Sequence, residues 1–267
     1  MAYNKEMLRD SIIEEYIRLR EPIGSETLKA SLKLKVSSAT IRNYFKVLMQ
    51  EGILIQPHIS SGRIPTDRAM KIYWRSKLSY LNFKIKSLQS LQEASRLFGI
   101  FVLLRKKSSL KLQSIKKLEE KILVLDFGSD LIAIPFSSAF EKFLNDLIGL
   151  GLEEIKNIAH QVMAIDLFNR LNTINHHQIN YFGLNFLSPL VDDKRYNSLF
   201  FEIIEGKILD TIHQGIFFDP LLPEGFMGTF QETTLTEISH NEDQAVQMLC
   251  IAPLMSDYQS FCDKVAA

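Results

Sequence analysis

In three successive segments between Lys5 and Glu51 the apolar positions recur at intervals of three and four, the spacing that lines one face of an α-helix. Leu8, Ile12, Tyr16 and Leu19 make such a stripe over 5–19, with Arg9, Glu14, Glu15 and Arg18 on the solvent side. Pro22 ends this helix, because the residue before a proline is pushed out of helical angles, and Ile23-Gly24 completes the break. Ser25 then caps a short second helix to about Ser31 that gives Leu28 to the core. The stretch LKLKV (32–36) leads into a third helix, with Ser37 as N-cap, Ile41, Phe45 and Leu48 as the buried stripe, and Gly52 as the stop. Ser38, Thr40, Arg42, Asn43 and Lys46 fall mostly on its other faces.

After Gly52 the period shortens. Ile53-Leu54-Ile55 reads as a short strand, Gln56-Pro57-His58 opens a loop, Ser60-Ser61-Gly62 is turn chemistry, and Arg63-Ile64 returns until Pro65 removes a ladder donor. Thr66 caps a further helix carrying Met70, Tyr73, Trp74, Leu78 and Leu81. Short helices, the second of a pair polar on its outer face, followed by a hairpin with a cation near its tip, predict a winged helix-turn-helix over 1–81.

Residues 82–117 read as a basic helical connector: a helix to about Arg96, an apolar LFGIFVLL, then a cationic loop around Lys106-Lys107-Ser108. Its cations suit either a solvated linker or added phosphate contacts. From about Leu118 a second domain is expected, 118–267. KILVLDF and LIAIPFS flank Gly128-Ser129-Asp130 as a β-hairpin, and helical patterns follow over 140–148 and 152–171. INYFGLNFL reads as a strand, 196–212 as helix, 215–241 as loop-rich, 245–252 as a strand, and Asp257 onward as a last short helix. Strands and helices without regular alternation predict an α+β domain.

Charge sharpens this division. The chain of 267 residues has 31 Lys/Arg and 31 Asp/Glu, yet residues 1–117 carry 23 basic against 9 acidic residues, leaving 8 against 22 in 118–267. A basic half joined to an acidic half fits a polyanion-binding module attached to something that stays off the polyanion. Cys250 and Cys262 have no metal-type spacing and fit a reducing cytosol. The N-terminal MAYNKEMLRDS lacks an apolar signal core, and no stretch approaches the roughly 20 apolar residues of a spanning helix, so an intracellular, cytoplasmic protein with no membrane partner is expected.

Catalytic constellations are not assembled in the sequence. Of the six histidines, His58, His160, His176, His177, His213 and His240, none belongs to a recognised metal or triad motif, although Asp210 lies near His213 and Asp243 near His240. GLGLEE (149–154) lacks the third glycine and the preceding strand of a phosphate loop. No enzyme activity, cofactor or metal is expected.

The segments EPIGSETL, VSSATIRN, GILIQPHISSGRIPTD and APLMSDY resemble the heat-inducible transcription repressors of the HrcA family. The likeness is close over 20–75, looser over 118–136 and 147–155, weak over 186–193, and returns in APLMSDYQSFCDKV. It implies an N-terminal winged helix, a GAF-like α+β regulatory and dimerisation domain with an inserted dimerisation segment, and a homodimer on an inverted-repeat DNA operator ahead of chaperone genes. It further implies release on heat shock and chaperonin as modulator. Tyr44 stands where the family has aspartate, and Ile59 and Ser60 where it has threonine and alanine. Ala252, Leu254, Met255 and Ser256 replace four positions of the family's Gly-Pro-Thr-Arg-Met-Asp-Tyr, and the chain is short between Leu171 and Gln244, so a reduced inserted segment is expected there.

The expected function is therefore repression of heat-shock genes by sequence-specific DNA binding; the alternative is a winged-helix repressor whose GAF-like domain senses a small molecule. On the third helix Ser37, Ser38, Ala39, Thr40 and Arg42 are expected nearest base edges and phosphates, with Asn43 and Lys46 toward phosphate or solvent. Arg42 leads, since a guanidinium fork grips guanine or phosphate at two points; a surface ion pair is its other reading. In the hairpin Arg63 leads, with His58, Ser60 and Ser61 as weaker partners of the DNA backbone.

Overall fold

The computed structural model describes residues 5–31, 37–78, 83–106, 110–128, 130–174, 179–236 and 243–267. The expected LKLKV link, Leu81, Lys107, Ser108, Ser129, His176, His177 and His240 lie outside them. The chain divides into two compact units: Met1–Arg105 with Ile179–Ala267, and Lys106–Gln178.

The first unit opens with α1 (Lys5–Leu19), α2 (Ser25–Ser31) and α3 (Ser38–Gln50). Buried Glu15 ties α1 to the end of α2, its carboxylate accepting from Arg18 and from the Ser31 hydroxyl at 2.7 Å. Those bonds outweigh the upward push of burial and hold its pKa below the usual value. Ser37 caps α3 as its side chain predicts, accepting from the Thr40 amide at 3.1 Å, and Gly52 follows the helix at φ 68°. Next come β1 (Leu54–Ile55) and β2 (Ile64–Pro65), an antiparallel pair in the register Leu54↔Pro65, Ile55↔Ile64. Pro65 is the last residue of β2, the strand ending where the ladder donor is missing. Thr66 caps α4 (Asp67–Lys77) by accepting from the Ala69 amide at 3.2 Å.

The expected connector is replaced by structure belonging to the sheet domain. After α5 (Leu88–Phe98) comes β3 (Phe101–Lys106), buried at every position and second in a five-stranded sheet. A strand covered on both faces shows no polar alternation, which is why LFGIFVLL gave no strand signal. Toward its end Arg105 is 6% exposed and donates to Gln247 Oε1 at 2.8 Å, to the Gly206 carbonyl at 3.2 Å, and to both carboxylate oxygens of Asp210 at 2.6 and 3.1 Å. A buried guanidinium persists when bidentate pairing offsets its lost hydration.

The second unit, 106–178, is an insertion in the first with its own core. β4 (Ser114–Leu118), β5 (Ile122–Asp126) and β6 (Leu131–Pro135) form an antiparallel meander that contains the expected hairpin. α6 (Ser138–Asn145), α7 (Leu152–Gln161) and α8 (Ile165–Leu171) follow, the single helical pattern expected over 152–171 being broken where Met163 takes φ 58°. Leu112, Leu123, Leu125, Phe127, Leu144, Ile155 and Leu171 are among the residues that fill the core. The domain boundary expected at 117/118 therefore falls inside this insertion.

The first unit resumes with β7 (Ile179–Phe182), α9 (Ser188–Asp192), α10 (Asn197–Ile204) and β8 (Gly215–Phe217). Where a loop-rich stretch was expected, β9 (Phe226–Thr236) runs for 11 residues and pairs antiparallel with β10 (Asp243–Pro253) without interruption, from Asp243↔Thr236 to Pro253↔Phe226. Buried Thr229 and Gln231 obscured its alternation by placing polar side chains on an inward face. α11 (Tyr258–Val265) closes the chain, capped by Asp257, whose carboxylate accepts from the Ser260 amide at 3.0 Å. The strand order is β7-β3-β10-β9-β8.

One hydrophobic core joins the N-terminal helices to this sheet, so among the described residues no break in packing sets those helices apart from the remainder of the first unit. It runs from Ile12, Leu28, Phe45 and Trp74 through Leu91 and Val102 to Met227, Val246, Tyr258 and Phe261. Trp74 is the hinge-pin of the arrangement: its indole N–H donates to the Leu254 carbonyl at 2.7 Å, and its ring meets the Tyr258 ring edge-on at 5.5 Å. Tyr258 in turn donates to the Met227 carbonyl at 2.9 Å. The C-terminal APLMSDY thus sits where the helices meet the sheet.

Candidate nucleic-acid interface

The exposed side of α3 follows from its period. Ile41, Phe45 and Leu48 turn inward, which leaves Ala39, Thr40, Arg42, Asn43 and Lys46 exposed on the opposite side, with Ser37 at the entry. No acidic residue stands in the first turn. Arg42, Asn43 and Lys46 meet no ion-pair or hydrogen-bond partner among the described residues, so their polar ends remain open to an incoming group. The hydroxyls of Ser37 and Thr40 lie 2.9 Å apart and bond to each other, which fixes the start of the helix.

Ser38 corrects the expectation. It is 8% exposed, because it precedes Ile41 by three positions and Phe45 by seven and so begins the buried stripe. A serine there packs against the inward stripe instead of standing on the exposed face.

In the hairpin, His58 and Ser60 are exposed at the turn as expected. Ser61 is committed to the turn itself: its hydroxyl accepts from the His58 amide at 3.0 Å and donates to the His58 carbonyl at 2.8 Å. Arg63 lies at the base rather than the tip. Its backbone exchanges hydrogen bonds with Ile23 at 2.8 and 2.9 Å, and its guanidinium lies over the Phe45 ring with 5.4 Å to the centroid. The half-buried cation therefore backs α3 from within, held by the ring's negative face.

Other residues that shape the surface carry weaker sequence signals. Gln56 donates to the carbonyls of Ile59 at 2.7 Å and Ser61 at 3.0 Å, folding the turn from inside. Ile59 is 100% exposed at that turn. Gly62 is required by close approach: a Cβ there would lie 2.5 Å from the Pro22 carbonyl. The pairing of Ile23 with Arg63 joins EPIG to SGR, a link between segments 40 residues apart that no local pattern reveals.

Among the described residues no group of three or more His, Cys, Asp or Glu is arranged to hold a metal ion, and no helix is long and apolar enough to cross a membrane. Both cysteines are buried free thiols, Cys250 with its pKa pushed up to about 12 by burial.

Comparison with known proteins bears on the whole chain. A family model described as the HrcA C-terminal domain matches residues 74–267. Over 264 residues the chain is 35% identical to a heat-inducible transcription repressor HrcA of Helicobacter pylori strain J99, covering 98% of this chain and 94% of that protein. It is 26% identical to the HrcA repressor of Clostridium tetani over 266 residues, covering 91% of this chain and 72% of that protein. Among solved structures, a hypothetical protein determined at 2.2 Å matches with a TM-score of 0.54 at 21% identity, over 97% of this chain and 94% of that one, a likeness of fold. With a family model over most of its length and a relative at 35% identity over nearly all of it, this chain belongs to the HrcA family of heat-inducible transcription repressors.

Proposed function

We propose that the chain is a sequence-specific DNA-binding repressor of chaperone genes, acting as a homodimer on an inverted-repeat operator and released on heat stress. Residues 1–81 serve as its winged helix. α3 enters the major groove, with Arg42 reading a base edge and Ala39, Thr40, Asn43 and Lys46 against neighbouring bases and phosphates. The hairpin 54–65 lies along the DNA backbone or minor groove, presenting His58, Ser60 and Ile59. The observation that carries this reading is the outer face of α3: exposed, free of acid in its first turn, and holding Arg42, Asn43 and Lys46 without intramolecular partners among the described residues.

Two such helices related by a two-fold axis match a palindromic site, and cation–phosphate contacts supply much of the affinity. Heating relieves repression in this scheme because a chain that loses its dimer or its folded junction reaches at most one half-site. Chaperonin acts as modulator by refolding that state, as the family resemblance implies. The test is a gel shift of full-length protein on DNA selected from a random pool. An inverted repeat bound two-to-one, with binding lost on mild heating and restored by chaperonin, is expected; equal binding to scrambled DNA would refute the proposal.

A further inference from the structure

The turn between β1 and β2 presents a side chain that the fold of this chain leaves unused. Ile59 is 100% exposed, whereas Met163, the next most exposed of the described large apolar side chains, stands at 75%. Pro57 nearby is exposed as well, and residues 52–66 contain no aspartate or glutamate. An apolar side chain held wholly in water gains none of the stabilisation that burial gives, so Ile59 contributes no packing to the fold.

The backbone beneath it is nevertheless firmly built. Gln56 donates to the Ile59 carbonyl at 2.7 Å and to the Ser61 carbonyl at 3.0 Å, and the Ser61 hydroxyl bridges the amide and carbonyl of His58. At the base of the hairpin Arg63 pairs with Ile23, and its guanidinium lies on the Phe45 ring of α3. The other arm starts from α3 directly, the Ile53 amide donating to the Leu48 carbonyl at 2.9 Å. The position of Ile59 is thus set relative to α3 before any partner arrives, which lowers the ordering cost of inserting it.

We propose that Ile59 is an apolar wedge that enters the minor groove beside the half-site, partly unstacks one base step and kinks the duplex. The inference rests on the reading in which α3 occupies the adjacent major groove. A duplex is the occupant that the surroundings favour: residues 1–117 carry 23 basic against 9 acidic residues, and the base stack is the apolar surface a polyanion offers to an isoleucine. His58 and Ser60, exposed on either side, supply polar groups for the groove wall and phosphates. Unstacking costs least at pyrimidine–purine steps, TA or CA/TG, so the wedge adds sequence preference outside the bases that α3 reads.

The experiment uses the full chain on an inverted repeat selected from a random pool. Single purines flanking each half-site are replaced by fluorescent 2-aminopurine, and the bend is followed by energy transfer between the duplex ends. Binding should raise 2-aminopurine emission at one step per half-site and bend the duplex by at least about 20°. The selected sequences should carry a pyrimidine–purine step at that place. Ile59→Leu should retain both signals. Ile59→Thr should lose both and weaken specific binding about tenfold, with an unchanged salt slope because an apolar contact releases no counterions. Since Ile59 is fully exposed, that variant should melt with the parent. Specific binding by the parent with no unstacked step or bend overturns the wedge alone. So does an Ile59→Thr variant that unstacks and bends DNA as the parent does, or one that melts lower. No preference of the parent for the selected DNA over scrambled DNA overturns the DNA-binding reading and the wedge together.

Discussion

At the scale of single residues, exposure and pairing separate side chains that share a chemistry. Arg42 and Arg63 are both arginines in the most recognisable part of the chain, yet one is exposed on α3 and the other is stacked on Phe45 behind it. If Arg42 reads a base, Arg42→Ala weakens specific binding by about 1–3 kcal/mol and relaxes preference at one position, whereas Lys46→Ala weakens all sequences alike and lowers the salt slope by about 1. Equilibrium binding at several salt concentrations separates the two; an unchanged affinity in Arg42→Ala would remove it from the interface. The cysteines give a second residue-level outcome. Burial raises both thiol pKa values, so a disulfide-exchange reagent at pH 8 should label neither in the native protein and both after denaturation. Rapid labelling of the folded chain would contradict their burial.

At the scale of elements, the N-terminal helices and hairpin are positioned by a few long-range contacts. Gly62→Ala forces a methyl group against the Pro22 carbonyl, where neither backbone can yield without breaking the Ile23 pairing. A loss of about 1–3 kcal/mol is expected, read as a lower urea midpoint; full tolerance would show that the hairpin moves away from Pro22 at little cost. Glu15 makes the join between α1 and α2 sensitive to acid. Its folded pKa is lowered, so its contribution is present above the unfolded value and is lost as pH falls through the folded one. Glu15→Gln should therefore flatten the acid limb of stability below about pH 4.5. An acid limb identical to the parent's would assign that dependence to other carboxylates.

At the scale of the whole molecule, the shared core predicts that the helical N-terminus and the sheet of the first unit unfold as one. Trp74 is the only tryptophan in the chain and sits on Leu254 and Tyr258, so its fluorescence reports that junction directly. Trp74→Phe leaves the Leu254 carbonyl unsatisfied and trims a close-packed ring, for an expected loss of about 2–4 kcal/mol. The measurement is the urea midpoint followed by circular dichroism. Separate melting of residues 5–78 in that variant supports the indole as the coupling element, while an unchanged midpoint denies it. Because such a junction couples the proposed DNA-reading surface to the rest of the unit, it is also where heat would act.

The sequence by itself determined most of the local architecture of the described residues 5–31 and 37–78. Apolar period, Ser37 and Thr66 as caps, and Gly52 as stop each act within a few residues, and the helices begin and end within a residue or two of where those signals stand. The hairpin over 122–135 and the cap at Asp257 were legible for the same reason. What only the tertiary structure decided is non-local. The burial of Phe101–Lys106, the length of β9, the insertion of 106–178, the burial of Ser38, the seat of Arg63 over the Phe45 ring, and the unpaired amide of Gln231 all depend on which distant segments cover them. A propensity or a cap is set by neighbours in the chain, but exposure and pairing are set by neighbours in space, and it is these that decide which side chains can meet a partner.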